Sequence, residues 1–395
     1  MGTVLLRAGR EKPVLRRHPW VFSGAIGRID GDPADGDIVT VLDRQKRFLA
    51  RGYFNRHSQI TIRLLTWRED EVIDHSFWRQ RIEGAIERRR ALLDNPATTA
   101  CRLIHAESDL LPGLIVDRYG DHLVLQALTL GIEQRKGQIV DILAELLEPD
   151  GVYERSDADV RAKEHLGKTT GVLLGQRPAD LVEIRENNHV FQVDIAEGQK
   201  TGFYIDQRDN RQRLARYSAG RSLLNAFAYT GSFAVYAAHA GAERTTNVDT
   251  SAEALALAQS NMMRNGFAEH PDEYVVGDVF AVLRAYRDAG RLFDLIILDP
   301  PRFAHSRAQV QAACRGYKDI NLLAMKLLRH DGILFTMSCS GSVSSELFWK
   351  VIFGASIDAG RDVQVLEGLS QATDHPTLLA FPEGNYLKGF VCRVL

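Results

Sequence analysis

Phe293-Asp294-Leu295-Ile296-Ile297-Leu298-Asp299-Pro300-Pro301-Arg302-Phe303 is the stretch on which the reading of this chain turns. A mostly apolar run rises to an aspartate, two prolines follow at once, and an arginine and an aromatic come next. Such a run predicts a strand buried on both faces, as in a parallel sheet. Asp299 then ends the strand, and open α/β sheets bind ligands outside the carboxyl ends of their strands. Proline lacks a backbone N–H and fixes φ, so Pro300 and Pro301 lead the chain stiffly away from the sheet. Arg302 and Phe303 are thereby held beside the carboxylate. A planar donor and a ring in that position suit a flat, polar-edged substrate such as a nucleobase. Taken alone, the stretch reads equally well as a simple strand stop.

The surroundings separate the two readings. From residue 190 the pattern alternates between short apolar runs and amphipathic segments. Strands are expected at 190–195, 222–227, 245–248, 273–276, 295–298 and 333–337, with final strands at 363–367 and 390–394. Helices are expected at 207–217, 232–240, 252–265, 279–288, about 307–329 and 344–357, with Asp206 as a cap for the first. Five βα units predict an α/β fold, a parallel sheet with helices on both faces. Two closing strands without a helix between them predict an antiparallel hairpin at one edge, which separates a methyltransferase-type sheet from a dinucleotide-binding one.

Four strand ends carry polar residues in register. After the first comes Asn225-Ala226-Phe227-Ala228-Tyr229-Thr230-Gly231, where Gly231 permits a close turn into a helix whose N-terminus welcomes a carboxylate. One glycine beside bulky Tyr229 leaves little room for a pyrophosphate and suits the amino-acid end of S-adenosylmethionine better. Asp249 ends the second strand and is suited to accept from ribose hydroxyls. Gly277-Asp278 ends the third, where a carboxylate can read an adenine amino group. Asp249-Thr250-Ser251 alone could be only a helix cap; four such ends in succession point to a bound S-adenosylmethionine. The fifth strand ends Thr336-Met337-Ser338-Cys339-Ser340-Gly341. Cys339 should share the cleft mouth with Asp299. Carbon C5 of cytosine is too weak a nucleophile to take a methyl group unaided, and a thiolate adding at C6 turns it into an enamine carbon. Asp299 would hold N3 or the exocyclic amine. A small buried cysteine at a strand end is the plainer alternative. Cys314, Cys392 and Cys101 read as structural.

The remaining 186 or so residues look different. Residues 1–73 are β-rich and open with Leu15-Arg16-Arg17-His18-Pro19-Trp20-Val21-Phe22, a basic and aromatic surface. Residues 74–93 predict an amphipathic helix, and 101–185 mix strands with a helix near 132–147. The expected domains are therefore 1–73, 74–186 and 187–395. The chain has 395 residues, 45% hydrophobic and 25% charged, with a net charge of −2. That length exceeds one ordinary core. The near-neutral charge does not mark a nucleic-acid binder. Three arginine clusters stand out: 1–20, Arg79 to Arg90, and Arg208, Arg211, Arg213 and Arg216. Each reads either as a solvated face or as phosphate contacts. Four scattered cysteines without a CxxC pair, and histidines without HExxH spacing, give no disulfide framework and no metal site. No apolar run reaches the ~18 residues that span a bilayer, and basic residues interrupt the N-terminus, so a cytoplasmic location without membrane attachment is expected.

Two resemblances follow. The basic run with His18-Pro19-Trp20-Val21-Phe22 and its β-unit resembles the PUA domain, an RNA-binding module. Gly198-Gln199-Lys200-Thr201-Gly202-Phe203-Tyr204-Ile205-Asp206-Gln207-Arg208, Asn225–Gly231, Asp299–Phe303 and Ser338-Cys339-Ser340 resemble, in order, the ribosomal RNA large subunit methyltransferase I family. That resemblance implies 5-methylcytosine formation in 23S rRNA with S-adenosylmethionine, on a Rossmann-like methyltransferase domain behind a PUA domain and a middle domain. It implies cofactor contacts at Thr201, Asn225, Phe227, Tyr229, Thr230, Gly231, Asp249, Ser251, Asp278, Asp299 and Pro300. It implies Cys339 as nucleophile. Asp299 is expected beside it, Arg302, Phe303 and Tyr317 are the candidates to hold an unstacked base, and Arg16 and Arg17 of the basic–aromatic surface are the candidates to contact RNA. Other RNA cytosine-C5 methyltransferases carry a second cysteine beside the Asp-Pro motif. Here Pro301 and Arg302 stand there, which leaves open what assists product release. A homodimer is compatible with the sequence. Guanine N-methylation on the same sheet and a non-catalytic RNA-binding assembly factor remain alternatives; a dinucleotide oxidoreductase lacks its glycines.

Overall fold

The computed structural model describes residues 2–304 and 306–395. They form two compact units. The first holds residues through Arg185 with Val193–Ile205 and Asp374–Gly384; the second holds Glu186–Gln192, Asp206–Thr373 and Asn385–Leu395.

In the first unit, six strands lie in the order Trp20–Val21, Ile62–Thr66, Phe48–Phe54, Ile38–Leu42, Gly2–Leu6 and Ile26–Asp30. Alternate residues such as Val4, Leu6, Val39 and Val41 face one core. A second sheet runs Thr169–Gly175, Gly151–Ser156, His122–Ala127, Leu114–Tyr119, Ala100–His105. Helix His75–Glu87 starts on Asp74, whose carboxylate accepts from Phe77 N at 3.0 Å, and it buries Phe77, Trp78, Ile82 and Ile86. Tyr53 and Leu65 of the first sheet belong to that same core. Buried Arg63 pairs with Glu107 at 2.8 Å and with Glu164 at 3.1 Å. Residues 1–73 and 74–185 of this unit thus share an interior.

The second unit is built on seven strands, Ser222–Ala226, Arg244–Asp249, Asp272–Val276, Phe293–Leu298, Leu328–Ser338, Val363–Ser370 and Lys388–Val394. Across the sheet they stand third, second, first, fourth, fifth, seventh, sixth. The first five are parallel, and the seventh inserts antiparallel between the fifth and the sixth. Strand order reverses beside the first strand, so the crevice for a ligand opens between the first and fourth strand ends. Ile296 and Leu298 face one core while Leu295 and Ile297 face the other. That two-sided burial is why the run has no polar alternation. Asp206 does not cap the following helix: a 3₁₀ turn over Ile205–Gln207 intervenes, the helix runs Arg208–Ala215, and Asp206 accepts from the Tyr386 hydroxyl at 2.6 Å instead. No helix among the described residues is long and apolar enough to cross a membrane.

Candidate active site

The loop after the first strand is wound tightly. Phe227, Tyr229 and Gly231 all have positive φ, at 62°, 47° and 72°. For Phe and Tyr this region costs on the order of 1–3 kcal/mol each, so neighbours must enforce it. They do: Ala228 N donates to Val248 O at 3.0 Å, and Tyr229 N to Asp249 Oδ2 at 2.8 Å. A Cβ on Gly231 would lie 2.7 Å from Ala258 Cβ, so only glycine lets helix Ala252–Arg264 pack this close. Asn225 is buried and donates to Asn247 Oδ1 at 3.0 Å. Thr230 is buried too, and its Oγ1 has no partner among the described residues.

Asp249 accepts from Ser251 N through Oδ1 at 3.0 Å, so each of its oxygens takes one loop amide. Ser251, not Asp249, caps the next helix by accepting from Ala254 N at 3.0 Å. Asp249 is left half-buried at the crevice as an acceptor with further capacity. Asp278 is exposed and caps helix Val279–Asp288 through Ala281 N at 2.9 Å. The positive-φ turn, the helix start at Ser232, the orphan Thr230 hydroxyl and the carboxylate of Asp249 fit a ligand with a charged amino-acid end and a ribose.

Leu298 pairs with Thr336, so the ends of the fourth and fifth strands adjoin. The Cys339 thiol, half-buried, donates to Pro300 O at 3.8 Å. Asp299 Oδ2 accepts from Gln207 Nε2 at 2.9 Å, and Gln207 Oε1 accepts from Asn210 Nδ2 at 2.6 Å. Gln207 and Asn210 are both buried. Ser340 ties the two loops together: its Oγ accepts from Ala304 N at 3.1 Å and meets the Tyr317 hydroxyl at 3.0 Å. Arg302 is exposed and reaches over the second loop, where a Cβ on Gly341 would lie 3.5 Å from its Nη2.

One expectation is corrected here. Tyr317 is wholly buried on helix Val310–Leu327, with Phe303 packed over it at 4.7 Å between ring centroids. Burial pushes its hydroxyl above the usual range. It supports Phe303 and Ser340 and presents no surface to a base. Phe303, half-buried, also meets Phe280 and Phe227, at 6.0 and 6.5 Å. The arginine clusters also change meaning. Arg211 is buried against Glu186 with both contacts at 2.7 Å, and Arg89 against Asp109 likewise. Neither is available to a phosphate. Thr201 belongs to the first unit, where its hydroxyl donates to Asp117 Oδ2 at 2.7 Å and meets Tyr119 OH at 2.8 Å. Arg16 and Arg17 are exposed in that unit, Arg17 over the Trp67 ring at 5.5 Å. Gln207, Asn210 and Lys388 went unnoticed in the sequence. Gln207 lies within the Gly198–Arg208 motif and offered that much signal; Lys388 offered none.

Residues 4–67 match the PUA-like domain family, and residues 161–349 match the family of S-adenosylmethionine-dependent methyltransferases. The chain is 48% identical over 394 residues to ribosomal RNA large subunit methyltransferase I of Tolumonas auensis, covering 100% of this chain and 99% of the relative. To the protein of that name from Aeromonas hydrophila it is 49% identical over 393 residues, covering 99% of each. Among solved structures, a putative SAM-dependent methyltransferase from Streptococcus mutans matches with TM-score 0.86 at 23% identity over 100% of both chains. A putative methyltransferase complexed with SAH matches with TM-score 0.87 at 24% identity, again over 100% of both. At that identity the two structures speak for the fold. With the fold, the strand-end site and full-length relatives in agreement, the chain is an S-adenosylmethionine-dependent methyltransferase belonging to the ribosomal RNA large subunit methyltransferase I family.

Proposed function

We propose that the protein forms 5-methylcytosine in 23S ribosomal RNA through a covalent bond between Cys339 and the target base. The observation that carries the reading is the Cys339 thiol on the fifth strand end, 3.8 Å from the Pro300 carbonyl of the Asp299 loop. A nucleophile and an oriented carboxylate thus flank one cleft. The turn Tyr229–Gly231 with Ser232, and Asp249 and Asp278, would hold S-adenosylmethionine, with Asn225, Phe227 and Ser251 shaping the loops that carry them. Bound there, it supplies an electrophilic methyl group.

The chain's own residues do the rest. The target cytosine is unstacked from the RNA to reach the cleft. Asp299, its carboxylate fixed by Gln207, accepts from the exocyclic amine or from a protonated N3. Cys339 as thiolate bonds C6, and the electron pair of the C5–C6 double bond makes C5 nucleophilic. After C5 is methylated, loss of its proton restores the double bond and expels the sulfur. Arg302 and Phe303 border the ring, and the exposed Arg16 and Arg17 of the PUA-like domain engage the RNA backbone.

The test is Cys339→Ala, read by nucleoside mass spectrometry of 23S rRNA and by calorimetry with S-adenosylmethionine. Loss of 5-methylcytosine with cofactor binding retained is expected. Full 5-methylcytosine yield from the variant would sink the covalent step, and a methylguanosine product from the native protein would move the chemistry to an exocyclic or ring nitrogen.

A further inference from the structure

Lys388 opens the last strand, which runs antiparallel to the fifth, so it lies opposite Ser338, one residue before Cys339. It is 5% exposed. Among the described residues no carboxylate lies within ion-pair reach of it. Its Nζ donates instead to Ser340 O at 2.7 Å and to Val343 O at 2.8 Å, the two carbonyls of the loop that carries Cys339 away from the sheet. A buried cation without a carboxylate is costly and is rarely kept for packing alone.

Burial pushes the Lys388 ammonium down to about 8; a negative charge on Cys339 works against that fall and Arg302 adds to it. Such coupling is reciprocal: what a thiolate does for the ammonium, the ammonium does for the thiolate. The groups facing this corner are Arg302 above the loop, Tyr317 through Ser340, and Asp299 at the end of the neighbouring strand, where Gln207 engages it. Arg302 is exposed and its charge is screened; Lys388 is shielded and its charge is not.

We propose that Lys388 is a positioning residue for Cys339: its buried ammonium clamps the 340–343 turn by two carbonyls and supplies the positive charge against which the Cys339 thiolate forms. This rests on Cys339 as nucleophile. Lys388 is too enclosed to touch the base, and its two hydrogen bonds aim it at the loop.

The full-length protein, with Lys388→Met and Lys388→Arg variants, is alkylated with iodoacetamide across a pH series, and modification of Cys339 is followed by peptide mass spectrometry. The native midpoint is expected below the ordinary thiol value of about 8.5. Lys388→Met moves it up by about one pH unit, a roughly tenfold loss of thiolate at neutral pH. Lys388→Arg keeps it low. Methyl transfer by Lys388→Met drops about tenfold in kcat at neutral pH, recovers as pH rises, and leaves the KM for S-adenosylmethionine unchanged. Equal midpoints in the native protein and Lys388→Met overturn the proposal, as does a native midpoint at or above the ordinary value, which stands as a test even if Lys388→Met fails to fold. Full methylation by Cys339→Ala would strike the nucleophile reading alone, because the alkylation midpoint is measured without any methyl transfer.

Discussion

Replacing Glu186 by Gln tests whether Arg211 belongs to the fold or to the RNA. The two side chains are 0% and 1% exposed, with Arg211 Nε and Nη2 each 2.7 Å from a Glu186 oxygen. Tyr236 OH donates to the same carboxylate at 3.0 Å. The neutral amide of Glu186→Gln takes away the charge that faces a buried guanidinium at 2.7 Å, and breaking such a pair from one side costs about 3–5 kcal/mol. In a unit of this size each kcal/mol moves Tm by roughly 2–4 °C, so a fall of roughly 6–20 °C is expected in thermal unfolding. Removing both charges is far milder. Glu186→Leu with Arg211→Met should unfold within about 2 kcal/mol of the native protein, because the desolvation of both ions disappears with their attraction. Tyr236 OH still has the Glu186 backbone carbonyl at 3.2 Å and Asn187 Nδ2 at 2.9 Å after the double change. The readout is differential scanning calorimetry on the native protein, Glu186→Gln, Arg211→Met and the double variant, with RNA affinity measured alongside. A Glu186→Gln Tm within about 2 °C of native would refute the burial argument. An Arg211→Met protein of unchanged Tm and weakened RNA binding would return Arg211 to the phosphate contacts.

Gln207→Leu removes the donor that orients Asp299 while filling the same buried space, and Asn210 keeps Ser370 O as an acceptor at 3.0 Å. A hydrogen bond to a charged group contributes about 1.5–3 kcal/mol, so kcat is expected to fall roughly ten- to a hundredfold with S-adenosylmethionine affinity unchanged; an unaltered kcat would show that Asp299 needs no such partner. His189 is held down to about 4, first by burial and then by the charges of His239 and Arg211. The unfolded chain, with His near 6.5, binds more protons between those values, so stability is lost as pH falls from about 6.5 to about 4. His189→Gln should lose less Tm between about pH 7 and 5 than the native protein, and an identical loss would place the acid sensitivity elsewhere.

The order of the second unit was legible because an α/β sheet converts position along the chain into position across a cleft. Apolar runs ending in Asn225, Asp249, Asp278, Asp299 and Cys339 needed no knowledge of distant contacts to be lined up along one edge. What escaped was whatever depends on burial. Arg211 and an exposed arginine look alike in sequence, and nothing local reveals that Glu186 will face Arg211 in the buried interior. Tyr317 stands among the expected base contacts, yet the helix that carries it turns its ring inward beneath Phe303. Asp206 has the position of a cap in the sequence, but a 3₁₀ turn over Ile205–Gln207 moves the helix start one residue on, to Arg208. The residues that tune the site share this fate. Gln207 reaches Asp299 from the 3₁₀ turn that precedes a separate helix, and Lys388 reaches the Cys339 loop from the last strand in chain order, 49 positions on. Gln207 is marked only by its place in a motif, and neither type nor spacing marks Lys388. Strand ends announce the groups that do chemistry because topology places them there, whereas the groups that set a carboxylate's angle or a thiol's charge are assigned by packing. The antiparallel seventh strand therefore does more than complete the sheet: its reversed direction brings a strand start, and with it the Lys388 ammonium, to the carboxyl edge where the parallel strands deliver only their ends.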